Sequence, residues 1–329
     1  MDLSIIIVNW NSADYTRECV ASIRANTHTI EYEIIVVDNA STDDSLKILE
    51  TLDIRLIANR ENLGFAHANN LGAVQSTGRV LLFLNPDTEL VGAAIDHMYA
   101  TLMASPAFGA LGCKLLNTDK TLQTSCIQPI PTILNQLLDV EEIKMAFPHL
   151  RIWGMRPLFE KPAAAPSEVE ALCGANIMIL REVFDRIGQF TTEYFMYGED
   201  IDLCYQTRHS GLLVGYDSGA EIVHHGGGSS KKKSDTGFGD IATREAVCKF
   251  LRKTRGPLYA QGYRSAMAAA AILRLIVLAV GFVTPLPKRE RDYIRFAARK
   301  WRRILNWSFG FEKWVKRLGP VRQHRTGEI

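Results

Sequence analysis

The chain has 329 residues, of which 47% are hydrophobic and 22% charged. That balance excludes a disordered, collagen-like or many-span membrane protein. The formal net charge is only +2, but residues 1–230 hold 15 Lys and Arg against 29 Asp and Glu, while residues 231–329 hold 23 against 7. An acidic body with a basic C-terminal region predicts contact with an anionic surface and argues against nucleic acid as the partner.

In chain order, Leu3–Val8 reads as a buried strand and Asp14–Ala25 as an amphipathic helix, with Ser12 as its N-cap. Glu33–Val37 is a second strand, and Ser41 to Asp44 opens a further helix. Ile54–Ala58 is a third strand, Gly64–Ser76 a helix and Val80–Leu84 a fourth strand. Continuous apolar strands alternating with helices predict an α/β fold with a parallel sheet covered on both faces. Ligands of such sheets bind beyond the carboxyl ends of the strands, where Asp38 and Asp87 stand.

Residues 117–167 are irregular and carry six prolines, so they read as a variable insert or lid. Order returns at Glu168–Leu180. A helix starts at Arg181, another runs from about Glu199 to Ser210, and strands follow at Leu212–Tyr216 and Ala220–Val223. Gly226 to Lys233 is a flexible basic loop. From Ile241 onward the chain reads helical and basic. This divides it into residues 1–116, residues 117–230 with the variable insert, and a basic helical region over 231–329.

Six cysteines without a C-x-x-C pair predict buried thiols in a reducing cytosol. The first residues lack the basic segment and the apolar length of a signal peptide. Ala266–Val283 is apolar but for Arg274, and reads as an interfacial helix or as a helix packed on the body. Eight basic residues from Lys288 to Arg303 follow, interleaved with Trp301, Trp307 and Trp314. Together they predict peripheral attachment to the inner face of the cell membrane. An intramolecular tail or a homo-oligomer contact is the alternative.

Five places carry chemistry. Asn85-Pro86-Asp87 sets a carboxylate on a stiffened turn, where it serves either as a Mg²⁺ or Mn²⁺ ligand against a diphosphate or as a cap on the helix after it. Asp38 suits a ribose or base contact, or again a cap. The segment Asn62 to Asn70, which includes Asn69, opens a helix whose N–H groups suit phosphate. Glu199, Asp200 and Asp202 crowd one helix start, more carboxylates than capping needs, and one suits proton abstraction from a hydroxyl. The charge of its neighbours is expected to raise that group's pKa. His224 and His225 end a strand and suit a metal shell with Asp87.

The ordered series SIIIVNWN, VVDNASTD, NLGFAHANNLG, VLLFLNPDT, CGANIMILREVFDRIGQF, EYFMYGEDIDLC and EIVHHGGGSS resembles the family 2 inverting glycosyltransferases, and within them a bacterial rhamnosyltransferase-like branch. The resemblance implies a GT-A, Rossmann-like sheet, with residues 1–116 as the nucleotide-sugar-binding half and residues 117–230 as the acceptor-binding half. It implies a nucleotide-sugar donor, with dTDP-rhamnose the expected one and a UDP-sugar the alternative. The acceptor is a hydroxyl of a cell-surface glycan or lipid-linked molecule, and the reaction a metal-assisted single displacement. Asn9, Asp38, Asn69, Asn85, Asp87, Gly174 and Ala175 match nucleotide-sugar contacts. Asp87 and His224 match metal ligands, Asp200 the general base and Glu199 an orienting or acceptor-side residue. Asn85 replaces the first acid of the family's D-x-D element. A dinucleotide oxidoreductase is disfavoured, because NWNSAD stands where G-x-G-x-x-G would follow the first strand. A non-catalytic membrane-bound scaffold is the remaining alternative.

Overall fold

A computed structural model of the chain describes residues 1–139, 141–147, 149–153, 158, 165–226, 237–283 and 287–317. Pro148, Pro157 and Pro162 of the insert, and the basic loop from Gly227 to Lys233, lie outside the described residues.

The first half runs β1 (Leu3–Asn9), α1 (Ala13–Asn26), β2 (Tyr32–Asp38), α2 (Ser45–Leu49), β3 (Arg55–Ala58), α3 (Phe65–Val74), β4 (Val80–Leu84), β5 (Thr88–Val91), α4 (Ala94–Ala104) and β6 (Phe108–Leu116). It continues through β7 (Ile127–Gln128), α5 (Ile133–Leu137), α6 (Glu141–Ala146), β8 (Ser167–Glu168), β9 (Ala171–Leu172), β10 (Asn176–Leu180), α7 (Arg181–Arg186), α8 (Glu199–His209) and β11 (Leu213–His224). Three helices follow: α9 (Phe238–Arg255), α10 (Pro257–Val283) and α11 (Lys288–Ser308).

The main sheet has the order β3-β2-β1-β4-β10-β6-β11-β5, with β8 added to β11. Strands β3, β2, β1 and β4 are parallel, and β1, β2 and β4 carry the buried apolar runs of strands covered on both faces. β10 is antiparallel to both β4 and β6, which makes the sheet mixed. Pairing of Asn176 with Leu84 sets the start of β10 beside the end of β4. Pairing of His224 with Thr88 sets the end of β11 beside the start of β5. One rim therefore collects the ends of β1, β2, β4 and β11 with the starts of β5 and β10.

The apolar faces of the sheet form one large core, centred on Ile5, Ile7, Leu82, Phe83, Leu111 and Ile179. Phe83 packs edge-on against Phe190 with ring centroids 4.7 Å apart. All six cysteines are free and five are buried, as small apolar fillers. A second core joins α9, α10 and α11 through Ile241, Phe250, Leu251, Tyr263, Met267, Ile304 and Trp307, and Tyr194 of the body belongs to it. Lys253 of α9 reaches Asp202 of α8 at 2.7 Å, and Lys300 of α11 pairs with Asp240 of α9 at 2.8 Å.

Several local expectations change. Ser12 does not cap α1 with its side chain; its hydroxyl donates to Asn9 Oδ1 at 3.1 Å. Asp87 is followed by strand β5 rather than directly by a helix, because Thr88–Val91 alternates buried and exposed residues over only four positions. The two strands expected around 212–223 are one strand, with a register shift between Asp217 and Glu221. The tryptophans face inward rather than to an interface. Trp307 is buried and donates to Glu245 at 2.7 Å, Trp314 stacks on Phe238, and Trp301 lies under the Arg274 guanidinium at 4.1 Å.

Candidate active site

The rim holds two groups of side chains joined by one turn. On the first, Asn85 follows β4, and Asp87 sits just before β5. His224 Nε2 lies 3.4 Å from Asp87 Oδ1 and 3.3 Å from Asn85 Nδ2. Its other nitrogen, Nδ1, is 2.8 Å from Gln123 Oε1. The Nδ1–H tautomer satisfies both amides, because Gln123 then accepts and Asn85 donates. The Nε2 lone pair then accepts from the Asn85 amide, and a cation bound between His224 and Asp87 would take the place of that contact.

A carboxylate and an imidazole nitrogen on neighbouring strands suit a divalent cation whose remaining positions are filled by phosphate oxygens and water. Among the described residues no three or more His, Cys, Asp and Glu side chains gather as a closed metal cage. The donor set thus fits an open site shared with a diphosphate. His225, the neighbour of His224, turns elsewhere: Nδ1 meets Thr118 at 3.1 Å and Nε2 lies 3.7 Å from Glu89.

On the second side, Gly198 starts α8 with φ of +88°, a left-handed turn in which an added Cβ would stand 3.1 Å from Ala246 Cβ. Tyr197 before it is also left-handed, at φ +70°. This tight approach delivers Glu199 and Asp200 to the rim while Asp202 points back to Lys253. Asp200 Oδ2 accepts from the Gly174 N–H at 3.0 Å and from Gln128 Nε2 at 3.0 Å, and Oδ1 accepts from the Ile201 N–H at 2.8 Å. Its pKa is raised, by burial first, while those donors oppose the rise. The cause therefore differs from the neighbouring charge expected from sequence.

Glu199 is 6% exposed, and its Oε2 has no hydrogen-bond partner among the described residues. Burial, and then the charge of Asp200, push its carboxyl up to about 8. Of the two carboxyls, Glu199, with no donor on Oε2, is the one whose neutral form is favoured, while the three donors to Asp200 favour its charged form.

The joining turn is Gly174-Ala175. Gly174 donates to Asp200, while the Ala175 carbonyl accepts the Asn85 N–H at 3.0 Å. The same two residues therefore fix the spacing between the carboxylate at α8 and the Asn85–Asp87 turn.

The other sequence candidates lie deeper. Asn9 and Asp38 are fully buried. Asp38 accepts from Asn9 at 2.7 Å, from the Ser41 N–H at 3.0 Å and from the Ser41 hydroxyl at 2.6 Å, which fastens the loop after β2 to the end of β1. Asn69 is buried and donates within α3 to the Phe65 carbonyl at 3.0 Å. The N-terminus of α3 is partly occupied: the Phe65 N–H donates to the Phe195 carbonyl at 3.1 Å, and a side chain on Gly64 would collide with that oxygen. That contact ties α3 to the approach of α8.

Two site residues escape the sequence reading, Gln123 and Gln128. Both lie in the segment read as a variable insert, and a neutral amide carries no charge pattern to betray it. Their only mark is a pair of polar side chains flanking the apolar Cys126-Ile127, which β7 buries against β9.

Glu199 gives a pH prediction. An unfolded chain loses this proton above about pH 4.3, while the folded chain keeps it to about 8. Stability therefore falls as pH rises between those values, by at most about 1.4 kcal/mol per pH unit. Glu199→Gln cannot ionise. Its melting temperature is expected to gain on the wild type from pH 5 to pH 8, and an offset independent of pH contradicts the assignment.

The mixed sheet with flanking helices is of the GT-A fold class, a fold shared by the mannosyltransferase PcManGT from Pyrobaculum calidifontis, solved in complex with GDP-Man and Mn²⁺. That structure superposes with a TM-score of 0.55 over 94% of this chain and 87% of its own, at 18% identity. Residues 4–188 match glycosyl transferase family 2, and the chain belongs to that family as a glycosyltransferase enzyme. It is 26% identical over 228 residues to the low-salt glycan biosynthesis hexosyltransferase Agl10 of Haloferax volcanii, covering 68% of this chain and 67% of that protein. It is 25% identical over 241 residues to the N-acetylglucosaminyl-diphospho-decaprenol L-rhamnosyltransferase of Mycobacterium tuberculosis, covering 68% and 76%.

Proposed function

We propose that this glycosyltransferase moves rhamnose from dTDP-rhamnose onto a hydroxyl of a lipid-linked or cell-surface glycan acceptor, with inversion, at the inner face of the cell membrane. The observation that carries the reading is the Gly174-Ala175 turn, which holds Asp200 on one side and the Asn85–Asp87 turn on the other. The similarity to a decaprenol-linked rhamnosyltransferase supports the donor sugar and the lipid-linked acceptor.

In this reading Asp200 accepts the proton of the acceptor hydroxyl as its oxygen bonds to the anomeric carbon. The bond from that carbon to the diphosphate breaks on the opposite face, and the electron pair leaves with the nucleotide. Burial favours Asp200 as a base, since it raises the group's proton affinity. Glu199, neutral beside it, orients the acceptor by donating a hydrogen bond. Asp87 and His224 would hold a Mg²⁺ or Mn²⁺ ion, and that ion supplies positive charge to the departing diphosphate. Gln123 fixes His224, Gln128 fixes Asp200, and Asn9 and Asp38 fix the nucleotide-side loop. Ala175 and Asn69 support the walls of the donor pocket.

The test is a transfer reaction with the full chain, a lipid-linked glycan acceptor and, in parallel, dTDP-rhamnose, UDP-sugars and GDP-mannose. NMR of the product reads both sugar and configuration. Rhamnoside of the anomeric configuration opposite to the donor is expected. Transfer from another donor alone replaces the sugar assignment, and retained configuration overturns the mechanism.

A further inference from the structure

The helix α10 has a second, unburied side. Ala260, Tyr263, Met267 and Ala271 pack into the C-terminal core. On the other side Ile272, Leu273, Ile276, Val277 and Val280 are exposed, with Leu273 at 63% and Val280 at 65%. These five fall within about half a turn of the helix circumference, so they form one stripe rather than scattered apolar residues. The segment Pro257–Gly281 is long enough to cross a bilayer; its most apolar 18 residues have a mean hydropathy of 1.7, with 11% of them buried. Its packed side ends at Ala271, and beyond that the Arg274 guanidinium, which lies over Trp301 and donates to the Leu137 carbonyl at 3.4 Å, holds it beside protein.

Beside that stripe runs a row of cations. Arg295, Arg299 and Arg302 occupy positions i, i+4 and i+7 of α11 and so share one face. With Leu275 and Ala298 they line an open groove of about 420 Å³ between α10 and α11. The other basic side chains nearby are engaged: Arg303 with Glu312, Lys300 with Asp240 and Arg264 with Glu245. Arg295 makes only an exposed pair with Asp292 at 3.4 Å. Among the described residues Arg299 and Arg302 have no carboxylate partner.

We propose that this α10–α11 face docks on an anionic phospholipid bilayer. The aliphatic stripe enters the boundary between headgroups and acyl chains, and Arg295, Arg299 and Arg302 bind lipid phosphates through the groove. An apolar helix face together with a polybasic row supplies the two signals that stable peripheral attachment needs. Charge selects the occupant: a neutral apolar partner would offer nothing to the Arg299 and Arg302 guanidinium groups, which have no carboxylate among the described residues, whereas phosphate matches their fork geometry. This deepens the membrane part of the reading above, but it does not depend on the donor or on the catalytic carboxylate.

The experiment is flotation of the full chain with phosphatidylcholine vesicles containing or lacking phosphatidylglycerol. The wild type is expected to float with the anionic vesicles and to stay in the soluble fraction with the neutral ones. Arg299→Gln with Arg302→Gln removes two charges worth about one kcal/mol each at an anionic surface, a loss of about 30-fold in partitioning. Ile276→Asp should abolish binding through the apolar half. Both variants alter exposed positions, and their melting temperature and nucleoside diphosphate binding are to match the wild type, which separates this test from the catalytic one. Equal flotation of the double arginine variant overturns the proposal. So does a wild type that ignores anionic vesicles and sediments as a dimer that Ile276→Asp dissociates, for then a second copy covers the face.

Discussion

Asp200→Asn is expected to lower turnover by about 10²–10⁴-fold, the usual scale for removing a positioned general base. The amide keeps the size of the carboxylate, but it cannot take the proton of an attacking hydroxyl. Its side-chain oxygen can still accept from Gly174 or Gln128, so the turn stays closed and the donor side keeps its shape. The loss should fall on kcat with little change in the KM for the donor. Turnover near the wild-type rate would transfer the role to Glu199, the neighbouring carboxyl at the start of α8.

Asp87→Ala acts on the opposite side. It removes the one carboxylate facing His224 Nε2, and with it the hard oxygen ligand of a shared cation. Removing a partner that merely supports a metal ligand costs about 10–100-fold in metal affinity. Loss of the ligand itself is expected to cost at least as much, read as weaker nucleoside diphosphate binding in the presence of Mn²⁺. Full transfer in EDTA, or an Asp87→Ala variant that responds to Mn²⁺ as the wild type does, would show that the phosphates are neutralised by other groups.

The first half of the fold was legible because its signals are local. Ile5 to Val8, Ile34 to Val37 and Val80 to Leu84 are unbroken apolar runs, and buried parallel strands leave that mark. Asp87, Asp200 and His224 stood out as charged or titratable groups at element ends. The rest depends on pairing between distant segments, which no single window records. β10 is antiparallel between two strands that come before it in the chain, so nothing in Asn176–Leu180 announces its neighbours. Asp38 looked like an open ligand at a strand end, yet its oxygens are taken by Asn9 and Ser41. The tryptophans of the basic region suggested an interface, whereas the second core absorbs or shields them. Gln123 and Gln128 gain their roles only when β7 pairs with β9 and carries the insert under the rim.

In the proposed reading, proton abstraction at Asp200 and diphosphate binding at Asp87 and His224 divide across the Gly174-Ala175 turn. Calorimetric titration of the nucleoside diphosphate with Mn²⁺ into the wild type, Asp200→Asn and Asp87→Ala separates the two roles. Equal affinity is expected for the wild type and Asp200→Asn, and much weaker binding for Asp87→Ala. Loss of binding in Asp200→Asn, or wild-type affinity in Asp87→Ala, would contradict that division.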